Sequence, residues 1–242
     1  MREAVNDMNE SFDEAMQVLE AAPDQPERYC RAFLSVLPVA GAAVSTIGDV
    51  LGSETIAATD EQAARLDELQ FDLGEGPCWD AMRSGGAVLA PRIRSLEPGR
   101  WPAFTRSAVQ DGVSSLFAFP LSVGPLRFGA VDLYSISPID LSDAQAQQAG
   151  AMAEVVSRHV LRRALTSIGL EDEEAVSAYS RRLIHQASGV VLAQIDVSAD
   201  DARLVIQGQA FASGRPMMDV AQDILDGRLR FAREGTRIEV AE

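Results

Sequence analysis

The run LFAFPLSV (Leu116–Val123), followed across Gly124-Pro125 by RFGAVDLYS (Arg127–Ser135), decides the fold. Both runs are rich in apolar, β-branched and aromatic residues, and the glycine-proline pair between them marks a turn. They read as paired central strands, and so short a connection requires antiparallel pairing. Working outward, Val39–Ile47 is small and β-branched, and Glu54–Thr59 is its expected hairpin partner across Gly48 and Gly52. Helical patterns lie before and between these strands. In the first twenty residues Val5, Met8, Phe12, Ala15, Met16 and Leu19 fall on one face, and Pro23 and Pro26 punctuate the end. Further helices are expected over Glu27–Leu37 and Glu61–Gln70. Strands interleaved with helices, closed by a tightly turned strand pair, imply an antiparallel sheet flanked by helices.

After Pro138 the pattern is helical throughout. Ser142 stands in an N-cap position, and Met152, Val155, Val156, His159 and Val160 form a largely apolar stripe. Gly169 interrupts it. The acids Glu171–Glu174 then bunch where a helix start favours negative charge. A second helix is expected through Leu183, Ile184, Ala187, Val190 and Val191 to about Gln194. Ser198-x-x-Asp201 has capping-box spacing and opens a third, which stops at Gly214; Pro216 opens a last short helix that ends at Gly227. The tail from Arg228 to Glu242 shows no clear partner. The apolar stripe at 152–160 is expected to need a second copy of the chain, giving a parallel homodimer; the alternative is that it packs on its own sheet.

The chain has 242 residues and a formal net charge of −15, and 47% of it is apolar, enough for a substantial core. All 21 basic residues are arginine. Residues 1–180 hold 13 arginines against 27 acids, whereas residues 181–242 hold 8 against 9. A near-neutral end beside an acidic body suggests two units with different partners. No apolar run reaches the ~18–20 residues of a membrane span, and the first residues resemble no export signal, so a cytoplasmic protein is expected. Two cysteines, Cys30 and Cys78, exclude a disulfide framework.

The residues give little support to an enzyme. His159 and His185 have no nucleophile and orienting group placed with them in sequence. Gly74-Glu75-Gly76 lacks the remainder of a phosphate loop, and no cluster has metal-ligand spacing, so neither cofactor nor metal is expected. Two features stand out. Cys78, beside Trp79 at a helix start after Pro77, is either an acidified thiol or a small buried hydrophobe. Trp101-Pro102-Ala103-Phe104 either lines a pocket or anchors a loop.

These residues resemble known modules. The strings Gly74-Glu75-Gly76-Pro77-Cys78, Trp101-Pro102-x-Phe104, Gly112-Val113-x-Ser115, Phe119-Pro120-Leu121 and Gly129-Ala130-Val131-Asp132-Leu133-Tyr134 are similar to the GAF domain of actinobacterial two-domain regulators. Arg181-x-x-Ile184-x-x-Ala187-x-Gly189-Val190-Val191-Leu192, then Ser198-x-x-Asp201-Ala202, then Met217-x-Asp219-Val220-Ala221, resemble the ANTAR domain, a three-helix RNA-binding antitermination module. Ser188 and Gln207 stand where that family is often basic, Arg203 where it is apolar, and Asp196 where it has a turn glycine.

The resemblance implies an α+β architecture. A GAF sensory domain spans 27–140 after an N-terminal helix at 1–26, a helical connector covers 141–180, an ANTAR bundle 181–227 and a tail 228–242. It implies a signal-responsive antitermination regulator that binds RNA hairpins and senses a small ligand or a partner. The alternative is a protein-interaction or small-molecule sensor module without RNA binding. The expected RNA face comprises Arg181, Arg182, His185, Ser188, Gly189, Arg203, Gln207 and Arg215. The expected ligand pocket comprises Glu75, Cys78, Trp79, Trp101, Phe104, Phe117 and Phe119, with a filled core as the alternative.

Overall fold

The computed structural model describes residues 2–48, 51–167, 182–234 and 237–241. It divides into two compact units, Met1–Tyr179 and Ser180–Glu242.

The first unit opens with helices α1 (Arg2–Ala21) and α2 (Pro26–Val36), then the hairpin β1 (Gly41–Thr46) and β2 (Glu54–Ala58). Helices α3 (Glu61–Leu73) and α4 (Pro77–Ser84), the short strand β3 (Val88–Ala90) and helix α5 (Pro102–Gln110) follow. The long strands β4 (Ser115–Val123) and β5 (Leu126–Ser135) and helix α6 (Asp143–Ser167) complete it. The five strands form one sheet in the order β2-β1-β5-β4-β3, each neighbouring pair antiparallel. Strands β4 and β5 are buried on both faces, so their sequences run apolar without the alternation of a half-exposed strand.

Alternation still sorts their side chains. Phe117, Phe119, Leu121, Val131 and Leu133 pack with Leu19, Tyr29, Phe33, Met152, Val155, Val156 and Val160 on the α1–α2–α6 side. Leu116, Ala118 and Tyr134 pack with Leu66, Ala81, Trp101 and Phe104 on the α3–α4–α5 side. The stripe on α6 is therefore covered by the chain's own sheet, because α6 lies directly on β4. The reason read from sequence for a partner copy does not hold there. His159 ties this layer together: Nε2–H donates to the Leu19 carbonyl at 3.0 Å, and the ring stacks on Tyr29 at 6.0 Å. Gly129 is needed where β5 meets β1, since a Cβ there would stand 2.0 Å from the Ser45 carbonyl oxygen.

The second unit consists of helices α7 (Arg182–Ile195), α8 (Ala199–Ser213) and α9 (Met217–Leu225), and a hairpin of β6 (Arg230–Glu234) and β7 (Arg237–Ala241). Ile184, Ala187, Val191, Ile206, Ala210, Val220, Ala221 and Ile224 are buried between the helices. The serine half of the expected capping box forms, with Ser198 Oγ accepting the Asp201 N–H at 3.1 Å, while the Asp201 carboxylate accepts the Ser198 hydroxyl at 2.7 Å in place of its backbone N–H. The tail, expected to be without a partner, is instead this hairpin. Phe231 is buried, and its N–H donates to Gln194 Oε1 on α7 at 2.9 Å. Arginines and glutamates interleave with Phe231, Ile238 and Val240, and that charge density masks the two-residue alternation. Among the described residues no helix is long and apolar enough to cross a membrane.

Candidate functional site

The first unit concentrates unusual chemistry on the α3–α4–α5 face of the sheet. Asp132 sits in the middle of β5, opposite Ala43 on β1 and Ala118 on β4. It is 7% exposed, and neither carboxylate oxygen has a hydrogen-bond partner. Burial pushes its carboxyl well above the ordinary carboxylate range, and the nearby Asp67 pushes the same way. Ser45, on β1 opposite Ala130, is fully buried with an unpartnered Oγ. Gln70, one helical turn beyond Asp67 on α3, leans toward Asp132 and offsets part of the push, but its Nε2 completes no hydrogen bond.

The local sequence explains why Gln70 is held there. Its Oε1 accepts the Cys78 N–H at 2.8 Å, and its carbonyl accepts Trp79 Nε1–H at 2.7 Å. Gly76 makes the approach possible: its φ is +134°, and a Cβ would fall 2.5 Å from Gln70 Oε1. The Gly74-x-Gly76-Pro77 string thus docks the start of α4 onto α3. Asp67 accepts the Thr55 hydroxyl, which holds α3 to β2. Four buried polar side chains, Ser45 on β1, Asp132 on β5 and Asp67 and Gln70 on α3, therefore belong to this part of the unit, and Asp67 and Gln70 both act on Asp132.

The pocket residues expected from sequence do not assemble into one wall. Phe117 and Phe119 lie on the opposite face, in the α2–α6 core, because residues 116 and 118 are the ones that face α4. Glu75 is occupied in structure: its Oε1 accepts the N–H groups of Ala103 and Phe104, both at 2.7 Å, at the start of α5. Cys78 is the small buried hydrophobe of the two readings, packed on Ile47 and Ala130. Trp79 packs at its rim with Arg83 over the ring at 5.7 Å. Trp101 and Phe104 do share the α3–α4–α5 face, edge to face at 6.4 Å. Trp101 adopts φ +49° and is held by Nε1–H donation to Asp80 Oδ2 at 3.1 Å, with Arg100 over its ring at 4.3 Å. A bulky residue in that region is strained, and these contacts fix it.

In the second unit, His185 and Gly189 are exposed one turn apart on α7. Ser188 between them is buried, and its hydroxyl donates to the Ile184 carbonyl at 2.8 Å, so it packs inward. Arg203 and Gln207 lie half-buried one turn apart on α8. Arg215 is exposed, but its Nη1 pairs with Asp223 on α9 at 2.7 Å. Asp223 also receives Arg228 at 2.7 Å, and these two arginines hold its carboxyl below the usual range. Arg181 and the Arg182 side chain lie outside the described residues.

The comparisons with known proteins divide the chain in the same way. Residues 177–225 match the ANTAR domain. No curated protein matches the chain. The first unit has a GAF-like fold. It superimposes on the GAF domain of a phosphoenolpyruvate-protein phosphotransferase from Coxiella burnetii with TM-score 0.53 and 13% identity, over 68% of this chain and 98% of that one. For the corresponding Acinetobacter domain the values are 0.51 and 11%, over 67% and 96%. The chromophore-binding domain of an R. palustris bacteriophytochrome gives 0.50 and 13%, over 65% of this chain, which spans only 62% of that domain.

Within the ANTAR unit, Asp196 takes φ +51° at the end of α7, the conformation for which glycine is best suited. Sequence reasoning missed the residues with the strongest chemical signature, Asp132, Ser45 and Gln70. The signal was present: Asp132 is an acid inside an otherwise apolar strand.

Proposed function

We propose that this chain is a signal-responsive regulator of transcription antitermination. The ANTAR unit would bind RNA hairpins, and the GAF-like unit would receive the signal; it would act in the cytoplasm and without catalysis. The ANTAR match over residues 177–225 is the observation that carries the reading. The near balance of arginines and acids in residues 181–242 supports it, because the acidic charge of the body would repel a polyanion. The exposed α7 residues His185 and Gly189, with Arg181 and Arg182 preceding them in sequence, are the proposed contact. Arginine there would hold phosphates and stack on unpaired loop bases. The test is an electrophoretic shift with RNA hairpins at low and moderate salt. A saturable shift supports the reading, and none at low salt refutes it.

A second reading, protein docking by the same unit, is favoured by one observation. Leu204 and Phe211, two turns apart on α8, are 54% and 69% exposed. Homodimerisation stays in the proposal without the α6 stripe as its interface, and light scattering decides it against the chain mass of 26.0 kDa.

A further inference from the structure

We infer that the exposed face of α8 is the interface of a two-fold homodimer, in which α8 packs antiparallel on α8 of a second copy of this chain with the two Gly208 residues at the crossing. The inference rests on the homodimer proposed above and names the surface that forms it.

The face carries a regular seam. Ala202, Ile206 and Ala210 bury one side of α8 in the bundle. On the opposite side Asp201, Leu204, Gly208 and Phe211 follow one another at steps of three, four and three residues, and Arg215 comes four residues later. That alternation of three and four is the spacing of a helix-pairing stripe. Arg215 stands just past the helix end, where its N–H donates to the Ala210 carbonyl at 3.0 Å and holds it against the last turn. All five residues are exposed, and Phe211 is the most exposed large apolar side chain among the described residues. Gly208 leaves a notch between the two bulky apolar groups, since a Cβ there would meet nothing within 4 Å. Glycine weakens a helix interior, and the open space around Gly208 shows no neighbour within the unit that requires it. Close approach of a second helix does require it.

The order of the seam selects the partner. It runs acid, apolar, glycine, apolar, base, and so it matches itself when reversed. Laid antiparallel on a second copy, Leu204 meets Phe211, Gly208 meets Gly208, and Asp201 meets Arg215. The contact is isologous, so both copies are satisfied by one two-fold axis. Asp200 adds to the acidic end. Arg215 already pairs with Asp223 through Nη1, and a guanidinium has further donors for a second carboxylate. Antiparallel packing also sets the two helix dipoles favourably. A parallel pair would place Asp201 beside Asp201 and lose the charge match. An RNA strand on this face would meet Asp200 and Asp201, and the self-matching order has no counterpart in an unrelated protein.

The test uses the whole chain. Sedimentation velocity over a micromolar concentration series should show reversible association from the chain mass of 26.0 kDa to twice that mass. Phe211→Glu, a change at an exposed position whose folding is checked by circular dichroism, should weaken association by roughly tenfold or more. Introduced cysteines read the direction of pairing, because Cys30 and Cys78 are buried. Under mild oxidation Gly208→Cys chains should cross-link to themselves. A mixture of Leu204→Cys and Phe211→Cys chains should cross-link, and Leu204→Cys chains alone should not. A dimer that survives Phe211→Glu unchanged, or Leu204→Cys chains that cross-link to themselves as readily as Gly208→Cys chains, would overturn this interface and leave the homodimer standing. A parent that stays at one chain mass would overturn both and leave the face to a different protein. RNA shifts on the same preparations keep the output separate: a dimer through α8 without RNA binding supports the inference and removes the proposed output.

Discussion

Replacing Asp132 by asparagine should stabilise the first unit at neutral and alkaline pH. Burial and Asp67 raise this carboxyl well above its ordinary value. A group whose folded value is raised holds its proton more tightly in the native state than in the unfolded chain. Its contribution is complete below the unfolded value near 4 and is lost as pH rises through the folded value. The native protein therefore weakens with rising pH at this site, by about 1.4 kcal/mol for each unit of upward shift. Asparagine has the same shape and no titration. Discounting for the amide's own unmet hydrogen bonds, a gain of about 1–3 kcal/mol is expected at pH 8. At roughly 2–4 °C per kcal/mol, that raises Tm by roughly 2–12 °C. The gain should vanish near pH 4, where the native and variant sites are both uncharged. Thermal unfolding of both proteins by circular dichroism from pH 4 to pH 8 measures this. An Asp132→Asn protein that is no more stable at pH 8, or a gain independent of pH, would refute the argument.

Burial lowers the affinity of His159 for its proton, so its contribution to stability is complete above pH 6.5 and falls as pH drops below it; His159→Gln should flatten that slope in urea titrations between pH 5 and pH 7. Asp196→Gly should relieve the left-handed backbone and raise the stability of the ANTAR unit by about 1 kcal/mol, measured by its urea midpoint. Phe231→Ala should cost that unit about 3 kcal/mol, because the hairpin loses its buried anchor on α7; an unchanged midpoint would show that the hairpin does not support the helices.

The layers of the first unit were legible because their signals are local and strong. The turn at Gly124-Pro125 announces the β4–β5 pair, and the glycines before Pro77 announce the loop onto α4. Which face each side chain takes was less so. Phe117 and Phe119 share the aromatic chemistry of Trp101, yet it is Leu116 and Ala118, one step along the strand, that face it, and register decides which. The same period of two could have placed Asp132 beside Ala130 and Tyr134 on the side away from Phe117. The α6 stripe shows another limit. Periodicity identifies an apolar face but not what covers it, and here the sheet covers it. In the second unit the helices follow their caps, Ser198 and Gly214, whereas β6 and β7 are hidden because their strength lies in pairing and in one phenylalanine.

The most direct test of the central claim is the salt dependence of RNA-hairpin affinity for the whole chain and for the Arg181→Ala, Arg182→Ala double variant, with folding checked by circular dichroism. If two phosphates are contacted by these arginines, log affinity should fall with log salt in the parent, and the slope should flatten by roughly 1–2 in the variant. A variant that binds the hairpin as tightly as the parent, with the same slope, would contradict the assignment of this surface to RNA.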